Sequence, residues 1–555
     1  MPPLLDGIRF KKLVELAHTR FNANLKDAET KILRDSASSV DMPDPGENAE
    51  RHEVRAAFIR WLATDPEAAQ YIDPHGLLIY AATIPDNLDL EECRIAVRMV
   101  IRRCEFQGTI YLRSARTRGI FFFDSSLKGG ISSDGSQIDG SLFLKGTQSF
   151  GEIRLLGAEI DGELKCSGSK LMVEKNALLA DGARIHGDVF LNEVFESSGE
   201  IRFLGAEIEG TLNCSGAKLT TKGDALSADG ARIHGGVFLN ENFESVGGIR
   251  FSGAAIQGDL DCAGARIHSM NCLNMELEGD LIWYGLQNPE LTDWADLSGV
   301  KVKNLRDDKE SWPSQGKLNL DGLEYEELTL HKEPTEDELK NRHHPRELPL
   351  DADERIQWIL RQENEQRREP QPWMQLRALL EKKGDHKGAK HVSFRFRCEL
   401  ADKNWCLLRW WKKFFAWIEE NPFRICWTLG LTLCIGTSIF IHYGYQGAMM
   451  ETVRYQPSAV SEDGEAKPVS RLYPPFQPFV YTLENTVPLI KLGMDEHWMP
   501  NAGAEFRRPW LPGIPRLDFL STYGFLTFLR WALIVGGWTQ ATILAASLAE
   551  RFKRD

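Results

Sequence analysis

A 48-residue repeat in the middle of the chain is the feature that most restricts the possible folds. GEIRLLGAEIDGELKCSG begins at residue 151, GEIRFLGAEIEGTLNCSG at 199 and GGIRFSGAAIQGDLDCAG at 247. Within each copy, apolar or small residues form pairs two positions apart, such as Ile153/Leu155 and Ala158/Ile160, and successive pairs are offset by five or six. A spacing of two places both members on one face of a short strand. The repeat therefore predicts short strands joined by tight corners, as in a solenoid.

The same spacing runs from Leu77/Ile79 to Leu328/Leu330. Four faces of five or six residues make a coil of about 22 residues, so one repeat corresponds to two coils with a small corner insertion. The whole segment then holds about eleven coils. No window keeps apolar residues three and four apart over two turns, which argues against helices. We predict a right-handed, four-sided, pentapeptide-like parallel β-helix over residues 75–330.

Helical segments flank the predicted β-solenoid. Residues 1–74 carry two amphipathic helical patterns, which we interpret as a helical N-terminal cap, because an open solenoid end exposes unpaired backbone. Residues 331–350 form a charged linker, and 351–420 predict a helical hairpin and a juxtamembrane helix. Residues 421–555 predict a C-terminal α-helical membrane module. It has two transmembrane helices, about 424–444 and 525–548, with an outer loop at 445–519.

Basic side chains flank the two apolar stretches. They are Arg409, Lys412 and Lys413 before the first, and Arg551, Lys553 and Arg554 after the second. Cytoplasmic flanks of membrane helices carry an excess of Lys and Arg. The sequence therefore predicts a multi-pass protein of the bacterial cytoplasmic (inner) membrane with both termini in the cytoplasm. Arg530 is the membrane charge of the module, placed where its side chain can reach the interface.

The outer loop contains the candidate site. In PFQPFVYTLENTVPLIKLGMDEHWMP, apolar residues recur three or four apart and predict a short amphipathic helix. A helix that re-enters between two spans is the arrangement of two-span channels, although no TVGYG-like filter is present. The alternative is an amphipathic helix on the outer membrane surface. The candidate pore or re-entrant residues are Tyr481, Glu484, Asn485, Thr486, Pro488 and Lys491.

Two stretches also carry a family resemblance. REPQPWMQLRALLEKKGDHKGAKHV and YTLENTVPLIKLG, together with the repeat, resemble bacterial two-span membrane proteins with a cytoplasmic pentapeptide-like β-helix. The resemblance covers residues 75–555. Members are sometimes labelled membrane-associated oxidoreductases. The residues do not support redox chemistry, because no GxGxxG follows a strand and no CxxC occurs.

Cysteines, histidines and acids recur at equivalent positions of the repeat and form candidate ladders of chemical groups. Members of one ladder lie two coils apart, about 9.6 Å on the strand spacing, whereas zinc ligands must lie within about 2.3 Å of one ion. We therefore predict no metal, no cofactor and no catalytic residue. The repeated cysteines are predicted to face inward and the repeated histidines to lie at corners. The repeated acids are predicted to form ladders on the surface, and the linker histidines to be solvated. The residues are Cys166, Cys214 and Cys262; His186 and His234; Glu159/Glu207 and Asp181/Asp229; and His343 and His344.

The net charge of the chain, −14, belongs to the predicted rod. Residues 77–330 contain 25 basic and 39 acidic side chains, a difference equal to that of all 555 residues. Such acidity argues against nucleic-acid binding, which requires basic residues to neutralise phosphates.

The sequence leaves three hypotheses about function. The leading hypothesis is an interaction or sensing platform coupled to a two-span, pore-like module, which must form a homo-oligomer because two helices cannot enclose a channel. The others are a membrane-anchored scaffold without transport and an enzyme acting on an envelope substrate. The predicted partners are the lipid bilayer, further copies of the chain and an unknown cytoplasmic protein bound to the β-helix.

Overall fold

The computed structural model describes residues 2–38, 46, 50–330, 350–363, 365–401, 410, 413–414, 417–418, 423–452, 474–487, 489–502 and 522–552. The chain divides into two compact units, Met1–Phe396 and Arg397–Asp555. The first unit contains a parallel β-solenoid of about 11 turns, and the second is a helical region. The predicted solenoid is confirmed. The predicted linker at 331–350, with His343 and His344, lies almost wholly outside the described residues.

The helices are numbered here in chain order. They are α1 (Pro2–Arg20), α2 (Asp27–Ala37), α3 (Ala56–Thr64), α4 (Pro66–Ala69), α5 (Ala352–Ile359), α6 (Pro370–Lys382), α7 (His386–Ala401), α8 (Arg424–Gly444), α9 (Pro478–Thr486), α10 (Met494–His497) and α11 (Thr522–Phe552). Two 3-10 turns are Pro289–Leu291 and Gln366–Arg368.

The strands of the solenoid belong to two long sheets. The first contains His52–Glu53, Ala82–Ile84, Leu88–Asp89, Glu105–Phe106, Ile110–Tyr111, Ser126–Leu127, Ile131–Ser132, Gln148–Ser149, Ile153–Arg154, Lys170–Leu171, Asn176–Leu179, Glu196–Ser197, Glu200–Arg202, Lys218–Leu219, Asp224–Ser227, Glu244–Arg250, Arg266–Asn271, Trp294–Asp296 and Leu318–Asn319. The second contains Leu77–Tyr80, Arg94–Ile95, Met99–Arg102, Arg116–Thr117, Ile120–Phe123, Gln137–Ile138, Leu142–Lys145, Glu159–Ile160, Leu164–Lys165, Arg184–Ile185, Val189–Phe190, Glu207–Ile208, Leu212–Asn213, Arg232–Ile233, Val237–Phe238, Ala255–Ile256, Leu260–Asp261, Glu276–Trp283, Lys301–Asp307 and Glu324–Leu330. A separate antiparallel pair in the second unit joins Met449–Glu451 to Trp498–Pro500.

Each solenoid strand pairs in parallel with the strand one coil later. In the first coils the partners are 22 residues apart, as in Leu77 with Met99 and Thr83 with Glu105. The paired apolar residues point inward, and Ile153, Leu155 and Ile160 are fully buried. Because parallel register keeps equivalent residues in line, one apolar row per strand position fills the interior of the coil.

The outward side chains explain why the sequence repeat spans two coils. One row runs Lys170, Glu196, Lys218 and Glu244 on neighbouring strands, so that the charge alternates from coil to coil. Lys170 Nζ lies 3.0 Å from Glu196 Oε2. A one-coil repeat would stack like charges at the strand spacing of about 4.8 Å, which is unfavourable. Alternation of sign therefore requires a two-coil period.

The N-terminal helices cover the first coil. The backbone N–H of Leu78 donates to Ser36 Oγ of α2 at 3.0 Å, and Tyr80 bonds to Asp35 of the same helix. The strand His52–Glu53 pairs in parallel with Ala82–Thr83 and thereby supplies partners to the first sheet edge. These contacts satisfy backbone groups that an uncovered solenoid end would expose.

Helices α5 and α6 cover the last coil, an arrangement that the sequence analysis did not predict. Gln362 Oε1 accepts from the backbone N–H of Leu320 at 2.9 Å. Gln371 bridges the N–H of Gly322 and the carbonyl of Leu323, and Gln375 Nε2 donates to the carbonyl of Tyr325 at 2.8 Å. Glutamine suits this position because its amide both donates and accepts.

A buried ion pair fixes the same end. Arg355 of α5 donates through two guanidinium nitrogens to Asp307 at 2.6 Å, and both side chains are at most 3% exposed. The Trp312 indole also donates to Asp307. Two parallel Arg–carboxylate bonds satisfy both charges, which a buried ion pair requires.

One prediction about the second unit is wrong. Among the described residues, α8 alone is long and apolar enough to cross a membrane, with a mean hydropathy of 1.6 in its best window. In α11, Arg530 and Gln540 interrupt the described apolar stretch, and both are unfavourable in hydrocarbon. With one candidate span, the prediction of a multi-pass protein of the bacterial inner membrane is wrong. The argument that placed both termini in the cytoplasm required two spans and no longer applies. Of the flanking basic residues, Arg409, Lys412, Lys553 and Arg554 lie outside the described part.

Candidate functional site

The predicted re-entrant segment is a short helix, α9, which contacts both α8 and α11. Two glycines permit the close approach. A Cβ on Gly436 of α8 would lie 2.6 Å from Thr482 Cγ2, and a Cβ on Gly537 of α11 would lie 1.6 Å from the carbonyl oxygen of Thr486. Any larger side chain would push α9 outward, so the small residues determine where the helix can pack.

Glu484 holds the chain that follows α9. Its Oε1 accepts from the backbone N–H groups of Leu492 and Gly493 at 2.9 and 2.8 Å, and its Oε2 accepts from those of Met494 and Asp495 at 2.8 and 3.1 Å. Burial alone would raise the pKa of Glu484, but these bonds outweigh it and hold the pKa below its ordinary value. Glu484 is therefore an anionic anchor for the turn at 492–495.

A second set of polar groups joins α9 to α11. Arg530 Nε donates to Asn485 Oδ1 at 3.0 Å, and an Arg530 terminal nitrogen lies 3.5 Å from Asp495 Oδ2. Burial, followed by the hydrogen bond and negative charge of Glu484, raises the pKa of Asp495, and Arg530 opposes this rise. Tyr481 is fully buried, its hydroxyl has no hydrogen-bond partner among the described residues, and burial raises its pKa to about 12.

The structure brings together five of the seven residues chosen from the sequence. Tyr481, Glu484, Asn485 and Thr486 lie on α9. Within the described part of the chain, the side chains of Glu484 and Asn485 are the two of these that form hydrogen bonds beyond the helix, and Arg530 of α11 bonds to Asn485. Lys491 is exposed and outside this group. Pro488 lies outside the described residues. Asp495 was missed, and the available signal was the acidic pair Asp495 and Glu496, which begins two residues after Gly493, whose φ of +81° begins a new turn.

The arrangement supports anchoring better than catalysis. The carboxylate of Glu484 is occupied by four N–H bonds, and the hydroxyls of Thr482 and Thr486 donate to carbonyls of α9 itself. The group thus joins a helix, a turn and a second helix through satisfied polar contacts. Nothing in it combines a nucleophile with a base, as acyl or phosphoryl transfer would require.

The repeated cysteines face the interior of the solenoid. Cys166, Cys214 and Cys262 are buried in the solenoid, and desolvation raises the pKa of Cys166 and Cys214 to about 12. Thiols of this kind are poor nucleophiles and poor metal ligands. His186 and Glu159 belong to a different arrangement, because they meet across one coil rather than two.

Comparisons with protein-family models, with curated proteins and with solved structures found no match. The resemblance to two-span membrane proteins therefore stays a prediction from the sequence.

Proposed function

We propose that the protein is a membrane-associated scaffold, in which the helical unit contacts a lipid bilayer and the solenoid presents a surface to a protein partner. The observation that carries the proposal is a pair of exposed apolar rows on α8 and α11. Trp427, Leu431 and Ile435 are 80%, 62% and 51% exposed on α8. On α11 the row is Phe528, Trp531, Val535 and Trp538, each more than half exposed.

A lipid surface suits these rows better than water. The α8 row follows spacings of four and the α11 row spacings of three and four, so each marks one side of a helix. Large exposed apolar surfaces are rare on soluble proteins and mark interaction sites. Helix α8 has 21 residues, which at 1.5 Å per residue is about 30 Å, the thickness of the hydrocarbon core. Tryptophan is enriched where a membrane meets water.

Vesicle flotation tests the lipid contact. The full-length protein, exchanged from detergent into phosphatidylcholine vesicles, is expected to float with the lipid. Brominated acyl chains are expected to quench tryptophan fluorescence. The double variant Leu431→Glu/Val535→Glu should lose both signals, because it places charges on both apolar rows. Ile8→Glu is the matched control, since Ile8 is an equally exposed apolar residue of α1. Equal behaviour of the two variants would reject the lipid contact.

The solenoid supplies the second half of the proposal. Its surface carries neighbouring apolar side chains at Phe150 and Met172, which are 44% and 50% exposed and follow the paired strand residues Ser149 and Leu171. A photoreactive phenylalanine at position 172 of the full-length chain is expected to give one discrete adduct in cells. Phe150→Asp should suppress the adduct. A photoreactive residue at position 8 is the control, and adducts indistinguishable from those at 172 would contradict a specific surface.

We also propose the finer fold type: a right-handed, four-sided coil of the pentapeptide type. In its support, four short strands follow one another between residues paired 22 apart, from Leu77 through Ala82, Leu88 and Arg94 to Met99. The inward pairs two residues apart match that type of repeat. The pore-like module, the homo-oligomer and the envelope enzyme stay predictions from the sequence.

A further inference from the structure

An imidazole and two carboxylates from neighbouring coils meet on the outside of the solenoid. They belong to Glu159, Asp161 and His186, and one ligand atom from each lies within 4.8 Å of the others. We propose that this group, the 159–186 cluster, is a binding site for one divalent transition-metal cation such as Zn²⁺. The proposal is independent of the membrane contact and of any protein partner.

The imidazole is already oriented for a cation. His186 Nδ1 lies 3.0 Å from Glu209 Oε1 on the following coil, while Nε2 faces Glu159 Oε1 at 3.8 Å. Histidine ligands in metal sites commonly donate their second ring nitrogen to a carboxylate, which fixes the tautomer and the ring. Glu209 would thus be the positioning residue, and Nε2 of His186 the ligand atom.

The ligand set suits zinc. One imidazole nitrogen and two carboxylate oxygens are ligands that Zn²⁺ accepts, and water can complete a tetrahedral shell. Zn–N and Zn–O distances of about 2.0 to 2.2 Å require the three atoms to approach one another further. The three side chains are partly or fully exposed at the surface, so rotations about their χ angles can close the gap without moving the coil.

The charges around the cluster differ from those on the adjoining ladder. Asp139, one coil earlier, is paired with Arg116 at 3.1 Å, and Glu207 has Arg184 at 3.8 Å. Within the described part of the chain, neither Glu159 nor Asp161 has a lysine or arginine within 4.0 Å. The strand neighbour of Glu159 on the preceding coil is the neutral Gln137, and on the following coil it is Arg184, whose ion-pair contact is with Glu207. The imidazole of His186 is therefore the basic group in ion-pair contact with Glu159 in the described structure, and a bound cation would add a direct counter-charge to the two carboxylates.

The next repeat provides an internal control. Its equivalents of the three residues are Glu207, Glu209 and His234. His234 Nε2 lies 3.9 Å from Glu207 Oε1, but the three residues do not all come within 4.8 Å of one another in the described structure. Glu207 lies 3.8 Å from Arg184. Gln257 occupies the position in this repeat that corresponds to Glu209 in the first repeat. An amide is a weaker orienting partner for imidazole than a carboxylate. The chain is therefore expected to bind one ion here and not two.

Titration calorimetry of the chelator-treated full-length protein in detergent, with Zn²⁺ as the probe, tests the site. His186→Asn should weaken or abolish one binding event, and Glu209→Gln should weaken it about 10- to 100-fold, as loss of an orienting partner does. His234→Asn is the matched control and should change nothing. Circular dichroism verifies that each variant is folded.

Co²⁺ absorption distinguishes this site from the exposed thiols of Cys426 and Cys434. A Co²⁺ ion bound by nitrogen and oxygen gives no thiolate charge-transfer band, whereas binding by cysteine does. Zn²⁺ binding that is unaffected by His186→Asn, or lost equally in His234→Asn, or a thiolate band from the only Co²⁺ site, would overturn the proposal.

Discussion

At the residue scale, stability of the solenoid surface depends on the order of charges along each strand position. Glu196 lies between Lys170 and Lys218 on neighbouring strands. Glu196→Lys would place three ammonium groups in line, and we expect it to destabilise the solenoid by roughly 0.2–1 kcal/mol per like-charged neighbour at low salt. Glu196→Gln is the control and should cost less, because it removes the attraction without adding repulsion.

Urea unfolding of the full-length variants at low salt and at about 1 M salt measures this difference. Screening shortens the range of the repulsion to about 3 Å at 1 M, so the gap between the lysine and glutamine variants should close. A gap that persists at high salt would show that the row acts through packing instead of charge.

The sequence was most informative at this scale for buried residues. Parallel register repeats one environment along the rod, so the two-residue spacing of Ile153 and Leu155 identified inward positions without knowledge of the fold. It could not identify the contact of His186 with Glu159 and Glu209. That contact depends on the length of each corner insertion, which decides which residues of adjacent coils come into line.

At the scale of single elements, Gly537 makes the tighter of the two glycine contacts that allow α9 to pack. Gly537→Ala is expected to destabilise the helical unit by about 1–3 kcal/mol, because its Cβ would overlap the carbonyl oxygen of Thr486. The neighbouring Gly536 has nothing within 4 Å of its would-be Cβ. Gly536→Ala should therefore be neutral or stabilising by up to about 1 kcal/mol, since alanine favours helix over glycine.

Hydrogen exchange in detergent reports on both variants of the full-length chain. The Gly537 variant should exchange faster at the amides of α9 and the Gly536 variant should not. Equal protection would mean that α9 does not rest against α11 at this position.

The number of helices long and apolar enough to cross a membrane was the least predictable property at this scale. Both apolar stretches of the sequence form long helices, Arg424–Gly444 and Thr522–Phe552. Length and average hydropathy do not show how polar residues are used, however. Arg530 bonds to Asn485, and the Gln540 side chain reaches Thr432 at 3.4 Å. Polar side chains of α11 therefore form hydrogen bonds with neighbouring elements of the same unit.

At the scale of the whole molecule, the solenoid is a stack whose two ends require different solutions. At the start, α2 and one added strand cover the first coil. At the other end, glutamine side chains of α6 and of the segment between α5 and α6 replace a further strand. The second cap could not be predicted from the sequence, because the residues that bond to each other there are 42 to 50 positions apart, as with Leu320 and Gln362 or Tyr325 and Gln375. Neither segment contains a local sequence pattern that indicates this pairing.

This cap leads to a prediction about association. The double variant Gln371→Ala/Gln375→Ala removes the amides that bond to Gly322, Leu323 and Tyr325. Unpaired N–H and C=O groups at a sheet edge are a template for another strand. We expect the full-length variant to form end-to-end associates in detergent that the wild type does not form. Met374→Ala is the matched control, because Met374 is a 64% exposed residue of the same helix.

Sedimentation velocity over a range of concentrations measures the outcome. Association confined to the glutamine variant, together with faster exchange at Glu324–Leu330, would show that side-chain amides stop the solenoid from continuing into a second copy. Faster exchange without association would mean that the rest of the cap still shields the edge after the coil has loosened. An unchanged exchange rate would contradict the role of these glutamines, because the backbone groups that they satisfy would then have found other partners.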